Sequence, residues 1–348
     1  MKIEKIATAL LLLLLASGCT GDNDDEPQML MQVSAVTRSD QAQAVTTEGT
    51  SIHTYLTQEN GDINQGYITR TAEKWVSTVS VRPNETYYIY GFSPSDIVST
   101  PSDAVITSSG GFNNGAVLKL SGIEAVSTKD LCVIIGVEDV PRDNKDKTPD
   151  VKRGAFTYLG KDIGFNYVNV LLGHVYSSLS FTMKVDPTYN ALRTIKLKKM
   201  ELLSASAATY DLTITLAANT SNTNPITSIA PSNKESSSSD RITIYENTSG
   251  GLELTTEAST APMTGYIIYD SGSSPNLSIR CTYDIYDKNK TAEHPDGNLI
   301  RQDCIAENKI SLSIYSFGQQ QPVNITVNPT YLYVLSDPDL DNPTITLK

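Results

Sequence analysis

The segment Leu172-Gly-His-Val-Tyr-Ser-Ser-Leu-Ser-Phe-Thr-Met-Lys-Val185 decides the fold class of this 348-residue chain. Apolar and polar residues alternate along it, which is the period of a strand with one buried face. It stops at Asp186-Pro187, where the proline has no backbone N–H to donate to a ladder. A second alternating run, Leu192–Leu203, follows at once and sets its apolar residues among lysines. Two long strands around a proline break favour β-sheet structure and place a domain boundary near Asp186.

Strand-like runs of the same kind recur along the rest of the chain, separated by Gly, Pro, Asn, Asp and Ser. Beyond the N-terminus we find no long segment with convincing helical spacing of its apolar residues. Strands at this density with turns between them are typical of sandwiches or barrels, and the 18 tyrosines fit a β-rich extracellular protein. The sequence therefore predicts an all-β chain with two domains, 39–186 and 187–348.

The first nineteen residues have the form of a lipoprotein export signal. Two lysines precede the apolar run Ile6–Leu15, and small residues lead to Cys19. A basic start, a short apolar run and small residues before the cut make a secretory signal, and the run is too short to span a bilayer. In lipoprotein signals the peptidase cuts before the cysteine. We expect residues 1–18 to be removed and Cys19 to carry lipid, including palmitate; the alternative is an ordinary signal with an unrelated cysteine.

The residues after Cys19 indicate where in the cell the protein is located, and the net charge indicates which partners are disfavoured. Residues 20–28 are polar and acidic with no large apolar side chain, so they predict a solvated tether. They resemble the acidic stretch that sends lipoproteins of Bacteroidetes-type bacteria to the outer face of the cell outer membrane. The formal net charge of −12 argues against nucleic acid as a partner, because nucleic-acid binding needs basic surfaces.

Three cysteines remain after Cys19, and an odd count leaves at least one thiol unpaired in a monomer. Cys132 lies in the apolar run Leu131–Val137 and is expected to be a buried, inert thiol. Cys281 and Cys304 lie on flanking strand-like segments. A disulfide between them suits an oxidising compartment, and two reduced thiols are the alternative. Neither the count nor the spacing predicts a metal site, and no cofactor is expected.

The chain shows no catalytic motif, so we predict that it is not an enzyme. It lacks Gly-x-Ser-x-Gly, His-Glu-x-x-His and a phosphate loop. Its three histidines, His53, His174 and His294, are scattered, and His174 in an apolar strand is expected to be a satisfied core or edge histidine. The run from Asp337 begins like a calcium loop but lacks the glycine and the terminal glutamate, so we interpret it as a solvated turn.

Four segments resemble the strands of fimbrillin-type proteins, the type V pilins of Bacteroidetes. Leu172–Val185 looks like the strand that closes their first domain, and Tyr189–Leu197 like the first strand of their second domain. Tyr87–Pro94 is similar to an apolar strand that ends in their aromatic-x-Pro turn, and Pro329–Asp337 also resembles a segment of such chains. The resemblance covers most of the mature chain and rests on the order of these segments together with the lipoprotein signal.

The resemblance implies two tandem transthyretin-like β-sandwiches and a mode of assembly. In this family, lipidated precursors are exported and an Arg-specific, trypsin-like protease removes the N-terminal segment with its first strand. The C-terminal strands of a neighbouring subunit then fill the groove, because an exposed sheet edge presents N–H and C=O groups that a donor strand satisfies. The implied partners are other fimbrial subunits, the processing protease and, through Cys19, the outer membrane.

The segment 19–38 holds the acidic tether and the candidate removable strand, Met29–Val36. Its alternation predicts that Met29, Met31, Val33 and Ala35 face the core and that Leu30 faces outward. The strand ends at Arg38-Ser39 before a polar stretch, which makes this bond the predicted cleavage site; an ordinary solvated arginine is the alternative. Arg70 is a weaker candidate, because a cut there would also remove Ser51–Leu56.

Val323–Lys348 is the candidate donor segment, through either Val323–Val327 or Tyr331–Leu335. A chain that used this tail inside its own domain would instead be a terminal subunit. The sequence thus favours a structural subunit of an adhesive cell-surface fimbria. The alternative is a monomeric surface lipoprotein that binds glycans or host ligands through exposed tyrosines.

Overall fold

A computed structural model of the chain describes residues 29–31, 33–37, 43–44, 49–59, 61–141, 151–152, 155–157, 166–204, 209–217, 225–235, 241–268, 277–310, 317–318, 320–328 and 344–347. Three predicted site residues, Cys19, Arg38 and Ser39, lie outside these ranges. Within them, no helix is long and apolar enough to cross a membrane.

Strands dominate the described chain, which confirms the all-β prediction. The strands up to residue 185 are β1 (Met29–Leu30), β2 (Val33–Thr37), β3 (Gln43–Ala44), β4 (Ser51–Thr57), β5 (Asn64–Arg70), β6 (Trp75–Ser77), β7 (Ser80–Val81), β8 (Thr86–Ser93), β9 (Ala104–Thr107), β10 (Ala116–Glu124), β11 (Val126–Ser127), β12 (Cys132–Pro141), β13 (Val151–Lys152), β14 (Ala155–Thr157), β15 (Asn166–His174) and β16 (Ser177–Val185). Short 3₁₀ turns span Ser95–Ile97, Pro101–Asp103 and Phe112–Asn114.

One short helix separates β16 from the remaining strands. The elements are α1 (Pro187–Asn190), β17 (Thr194–Ser204), β18 (Thr209–Leu216), β19 (Ile226–Glu235), β20 (Arg241–Glu246), β21 (Leu252–Leu254), β22 (Thr264–Ile267), β23 (Leu277–Tyr286), β24 (Leu299–Ile310), β25 (Gln320–Asn328) and β26 (Thr344–Leu347). The carboxylate of Asp186 accepts from the Thr188 N–H at 2.9 Å and so caps α1, while Pro187 stops β16 as the sequence predicts.

The first layered body is built on a large sheet with the strand order β3-β2-β15-β12-β8-β4-β5-β6. β2 and β6, near its opposite ends, contact each other, so the sheet curls around an inner core that includes Ile52, Ile89 and Val168. A cover sheet, β19-β18-β10-β9, encloses a second, cover core with the other face of the large sheet. Successive residues of β8 therefore serve different cores: Ile89 the inner core, Tyr90 the cover core.

The second layered body pairs a tail sheet, β11-β22-β16-β25-β26, with a facing sheet, β20-β17-β23-β24. Between them lies the tail core. The side chains of Leu179, Phe181, Met183 and Val185 all enter it, whereas Lys184 on the opposite face is exposed. The alternation that predicts a strand with one buried face is thus confirmed for β16.

The segment Leu172–Val185 belongs to two strands rather than one. β15 lies in the large sheet and β16 in the tail sheet. Between them the N–H groups of Val175 and Tyr176 both point at the Leu131 carbonyl, at 2.8 and 3.4 Å, which interrupts the ladder and turns the chain from one sheet to the other. The expectation that Leu172–Val185 forms one alternating strand is therefore wrong.

The sheets also cross the predicted boundary at Asp186 in both directions. The hairpin β18–β19, from beyond the boundary, pairs with β10 in the cover sheet and supplies Leu212 and Ile214 to the cover core. β11 and β16, from before it, lie in the tail sheet. A cut of the chain at Asp186 would thus remove buried residues from both bodies.

Candidate functional site

The N-terminal strand completes the large sheet. β2 runs parallel to β15, with Val33 opposite Val168 and Thr37 opposite Leu172. Just before it, β1 pairs with β7, and the Met31 N–H donates to the Val79 carbonyl at 3.2 Å. The segment thus satisfies backbone groups on two sides of the inner core, which would otherwise be open sheet edges.

The side chains of this strand face as the alternation predicts, where the structure describes them. Met31 is 2% exposed and Val33 7%, and both belong to the inner core, whereas Leu30 is 57% exposed. Burial of aliphatic side chains of this size contributes about 1.5–3 kcal/mol each. The first strand is therefore a packed part of the inner core as well as a hydrogen-bonded neighbour of β15.

The predicted cleavage site follows this strand directly. Val36 pairs with Ala44 and Thr37 with Gln43, so β2 and β3 form a hairpin whose joining residues, 38–42, include Arg38 and Ser39 and lie outside the described residues. Arg70 is placed differently. Its N–H donates to the Thr50 carbonyl at 2.8 Å, and its carbonyl accepts from the Gly49 N–H at 2.9 Å. Proteases need freely accessible backbone, so this pairing argues against Arg70.

The first part of the candidate donor segment lies in its own tail sheet. β25 runs parallel to β16, with Val323 opposite Phe181, Ile325 opposite Met183 and Val327 opposite Val185. The three aliphatic side chains are 5%, 1% and 2% exposed in the tail core. β26 pairs with the outer edge of β25, and Tyr331–Leu335 lies outside the described residues.

β2 and β25, which we call the terminal strands because they lie near the two ends of the chain, share a geometry that the sequence does not indicate. Each is added in parallel, β2 to β15 and β25 to β16. Parallel neighbours cannot be joined by a tight turn, so each terminal strand is linked to its neighbour only through a long stretch of chain. A strand of another chain, running in the same direction, could therefore take either place without a change of topology.

We predict that Val33→Asp detaches the N-terminal strand, because it places a carboxylate where 7% of the side chain is exposed. A loss of about 2 kcal/mol would speed amide exchange in β15 roughly 30-fold, measured by hydrogen–deuterium exchange of the peptide that covers Asn166–His174. Leu30→Asp is the matched control, with the same charge on the exposed face of the segment. Equal exchange in the two variants would contradict the packing role of Val33.

Cys281 and Cys304 lie on the neighbouring strands β23 and β24 but not opposite each other. Cys281 faces Ala306, and Tyr283 faces Cys304, which makes the two thiols a diagonal pair with no disulfide in the structure. Diagonal neighbours are about 7–8 Å apart, beyond the usual Cα separation of a disulfide. Burial raises the pKa of Cys281 to about 12, which disfavours the thiolate that disulfide formation requires. A disulfide between Cys281 and Cys304 stays a prediction, and its formation would require β24 to shift along β23.

His174, expected from the sequence to be a satisfied histidine, has a partner that the sequence does not suggest. Its Nδ1 lies 2.5 Å from Oδ2 of Asp130 and 3.4 Å from Sγ of Cys132. The hydrogen bond to Asp130 raises the pKa of His174, and burial, followed by the Asp130 charge, raises the pKa of Cys132. Both partners meet the same ring nitrogen, so the three side chains do not form a nucleophile–base–acid relay, which uses both nitrogens.

Comparison with known proteins finds similarity only to solved structures, at low sequence identity. No protein-family model and no curated protein matches the chain. Its structural neighbours include fimbrial and putative cell-adhesion proteins of Bacteroidetes. A fimbrial protein from Bacteroides vulgatus is 13% identical with a TM-score of 0.42, and the match covers 92% of this chain and 98% of that one. The fimbrial anchor protein Mfa2 from Porphyromonas gingivalis is 9% identical with a TM-score of 0.33, over 92% and 97% of the two chains.

Proposed function

We propose that this chain is a structural subunit of a cell-surface fimbria, exported as a lipoprotein through Cys19 and assembled by protease-triggered exchange of strands. The observation that carries the proposal is the N-terminal strand. It fills the edge of β15 in parallel and buries Met31 and Val33, and the predicted cleavage site, Arg38-Ser39, follows it immediately in the sequence.

The intact chain then corresponds to a precursor with both exchange positions occupied by its own strands. β2 is paired with the edge of β15, and β25 is paired with the edge of β16. A cut after Arg38 leaves the N-terminal strand held only by non-covalent contacts, so it can dissociate and admit a donor strand. The donor comes from the C-terminal segment of a neighbouring subunit, and Tyr331–Leu335 offers the apolar run for the vacated inner core.

A glycan-binding surface lipoprotein is the second candidate, and one cleft favours it. His53, Tyr67 and the turn Ser95–Pro101 line a cleft of about 400 Å³. Tyr67 is 37% exposed there, and its ring lies 5.1 Å from that of His53. A partly exposed aromatic ring beside polar groups suits the stacking and hydrogen bonding of a sugar.

Polymerisation separates the two candidates. Limited protease treatment of the mature protein should yield a ladder of oligomers that withstands SDS without heating, because a strand inserted into a sheet is held along its whole backbone. A chain that stays monomeric after the cut, and binds glycans through the Tyr67 cleft, would favour the binding protein instead.

We predict that Cys19→Ser abolishes membrane attachment. The acyl chains on Cys19 supply the anchor, since burial of each methylene contributes about 0.8 kcal/mol and two or more chains hold a protein stably. Metabolic labelling with palmitate and fractionation of the outer membrane measure the effect: label and membrane association should both fall to background. A variant that still labels and sediments with outer membranes would contradict the lipoprotein assignment.

A further inference from the structure

Asp130 and His174 lie where the chain passes between the two layered bodies. Asp130 is in the connection from β11, in the tail sheet, to β12, in the large sheet, and His174 ends β15 just before the chain crosses to β16. The segment leading into β25 passes beside His174: the Gly318 N–H donates to the Tyr176 carbonyl at 3.2 Å, and a Cβ at Gly318 would lie 3.0 Å from the His174 carbonyl oxygen. Three passages of the chain therefore come together at the end of β15.

The strand register brings a third donor atom to the same place. Cys132 is directly opposite His174 in the β12–β15 pair, and Asp130, two residues before Cys132, projects to the same side. Cys132 Sγ lies 3.4 Å from His174 Nδ1 and 3.6 Å from Asp130 Oδ2. The thiol of Cys132, the imidazole of His174 and the carboxylate of Asp130 thus converge. Cys132 and His174 lie on paired strands, and Asp130 lies just before β12.

These separations match a metal site. A tetrahedral zinc ion, about 2.3 Å from sulfur and about 2.0 Å from nitrogen and oxygen, holds its ligand atoms about 3.3–3.6 Å apart. The two distances to sulfur already have this value. Only the Nδ1–Oδ2 distance of 2.5 Å must widen, by about 0.8 Å, as a hydrogen bond is replaced by two bonds to the metal.

We propose that Asp130, Cys132 and His174 bind one divalent ion of the zinc class, with water as the fourth ligand. Oδ1 of Asp130 is buried and has no hydrogen-bond partner, an unsatisfied state that coordination or rotation of the carboxylate relieves. A thiolate and a carboxylate balance the two charges of the ion, and the thiol proton and the proton shared by His174 and Asp130 pass to solvent. The side chains of His174 and Asp130 are 31% and 22% exposed, which leaves a path for water and metal.

The ion would hold the end of the large sheet together at the point where the chain passes to the tail sheet. It joins Asp130, in the β11–β12 connection, to Cys132 and His174 on the paired strands β12 and β15, so this connection could not move away from the large sheet without the loss of a ligand. We therefore expect metal to stiffen the β11–β12 connection without displacing β2 from β15 or β25 from β16.

Metal titration of the mature chain tests this site. After incubation with zinc and desalting, we expect one zinc per chain by elemental analysis and a midpoint of thermal unfolding about 5 °C higher than in EDTA. Cobalt(II) should give the charge-transfer absorption of a thiolate ligand together with the ligand-field bands of a tetrahedral site. Cys132→Ser should abolish the charge-transfer band, and His174→Gln should lower the affinity at least tenfold.

Two controls separate this site from adventitious binding. Cys281→Ser removes a buried thiol of the tail core, and His294→Gln removes an exposed histidine; both variants should bind zinc as the wild-type chain does. The cobalt spectrum of the wild-type chain requires no variant to fold. Absence of a charge-transfer band at saturating cobalt, or zinc binding that is unchanged in folded Cys132→Ser, would overturn the proposal.

Discussion

Arg38→Gln should leave a folded monomer that no longer forms oligomers after limited protease treatment. In the wild-type chain the same treatment should release the segment before Ser39 and convert most of the protein into SDS-resistant oligomers. The substitution removes the cleavage residue of an Arg-specific protease and changes nothing in the described inner core. Gel electrophoresis without heating, with N-terminal sequencing of the product, measures both steps.

The expected size of this effect follows from how the N-terminal strand is held. Before the cut it is part of the same chain, and a tethered strand competes at an effective concentration in the millimolar range. No donor at lower concentration displaces it unless that donor binds much more tightly. After the cut the N-terminal strand is held only by its hydrogen bonds to β15 and by the burial of Met31 and Val33. A longer and more apolar donor strand can therefore displace it from the groove.

Arg70→Gln is the matched control, because it removes an arginine whose backbone is hydrogen-bonded on both sides. This variant should be cut and should polymerise at the wild-type rate. If Arg38→Gln polymerises as the wild-type chain does while Arg70→Gln does not, the removable segment extends through β4 and β5, and the assignment of the cleavage site is wrong.

The sequence predicts the local features of the fold well, because they depend on neighbouring residues. The alternation of Leu179, Phe181 and Met183 marks a strand with one buried face, and Pro187 marks its end; both features are present. The outward face of Leu30 follows from the same period of two. Each of these signals is complete within about ten residues.

The features that the sequence did not predict depend on contacts between distant parts of the chain. The break between β15 and β16 arises because the Leu131 carbonyl attracts the N–H groups of Val175 and Tyr176, more than forty positions later in the chain. The pairing of β2 with β15 is non-local in the same way, as is the contact of Asp130 with His174. No period or spacing of residues encodes such contacts, so the shared geometry of the terminal strands and the side-chain cluster appeared only in three dimensions.

The hairpin β18–β19 shows why the domain boundary could not be derived from the sequence. Its alternating residues, including Leu212 and Ile214, predict strands with a buried face, but a pattern of burial does not specify which core the face enters. In the structure they complete the cover core, against β10. Proline at position 187 ends a strand, but strands from both sides of it share the cover sheet and the tail sheet.

Two nested truncations should separate the assembly role of the C-terminal segment from its role in the tail core. Deletion of 331–348 removes β26, the last strand of the tail sheet, and keeps β25 with its three buried aliphatic side chains. We expect a folded monomer that is cut after Arg38 but does not polymerise. Deletion of 320–348 also removes Val323, Ile325 and Val327, whose burial contributes about 4.5–9 kcal/mol in total, close to the entire stability of many domains. We expect that variant to lose the cooperative unfolding of the second body.

Circular dichroism during thermal unfolding, limited proteolysis and the oligomer ladder together measure these outcomes. The sharpest control is to mix cleaved chains that lack 331–348 with cleaved wild-type chains. The truncated chains still have an open β15 edge, so they should accept the C-terminal segment of a wild-type chain and stop the growth of its oligomer. Such capping would assign the donor role to 331–348 and the acceptor role to the β15 edge separately. If the shorter deletion polymerises as the wild-type chain does, the donor is not in 331–348. If it fails to fold, the tail belongs to its own body, and the chain is a terminal subunit or the glycan-binding alternative.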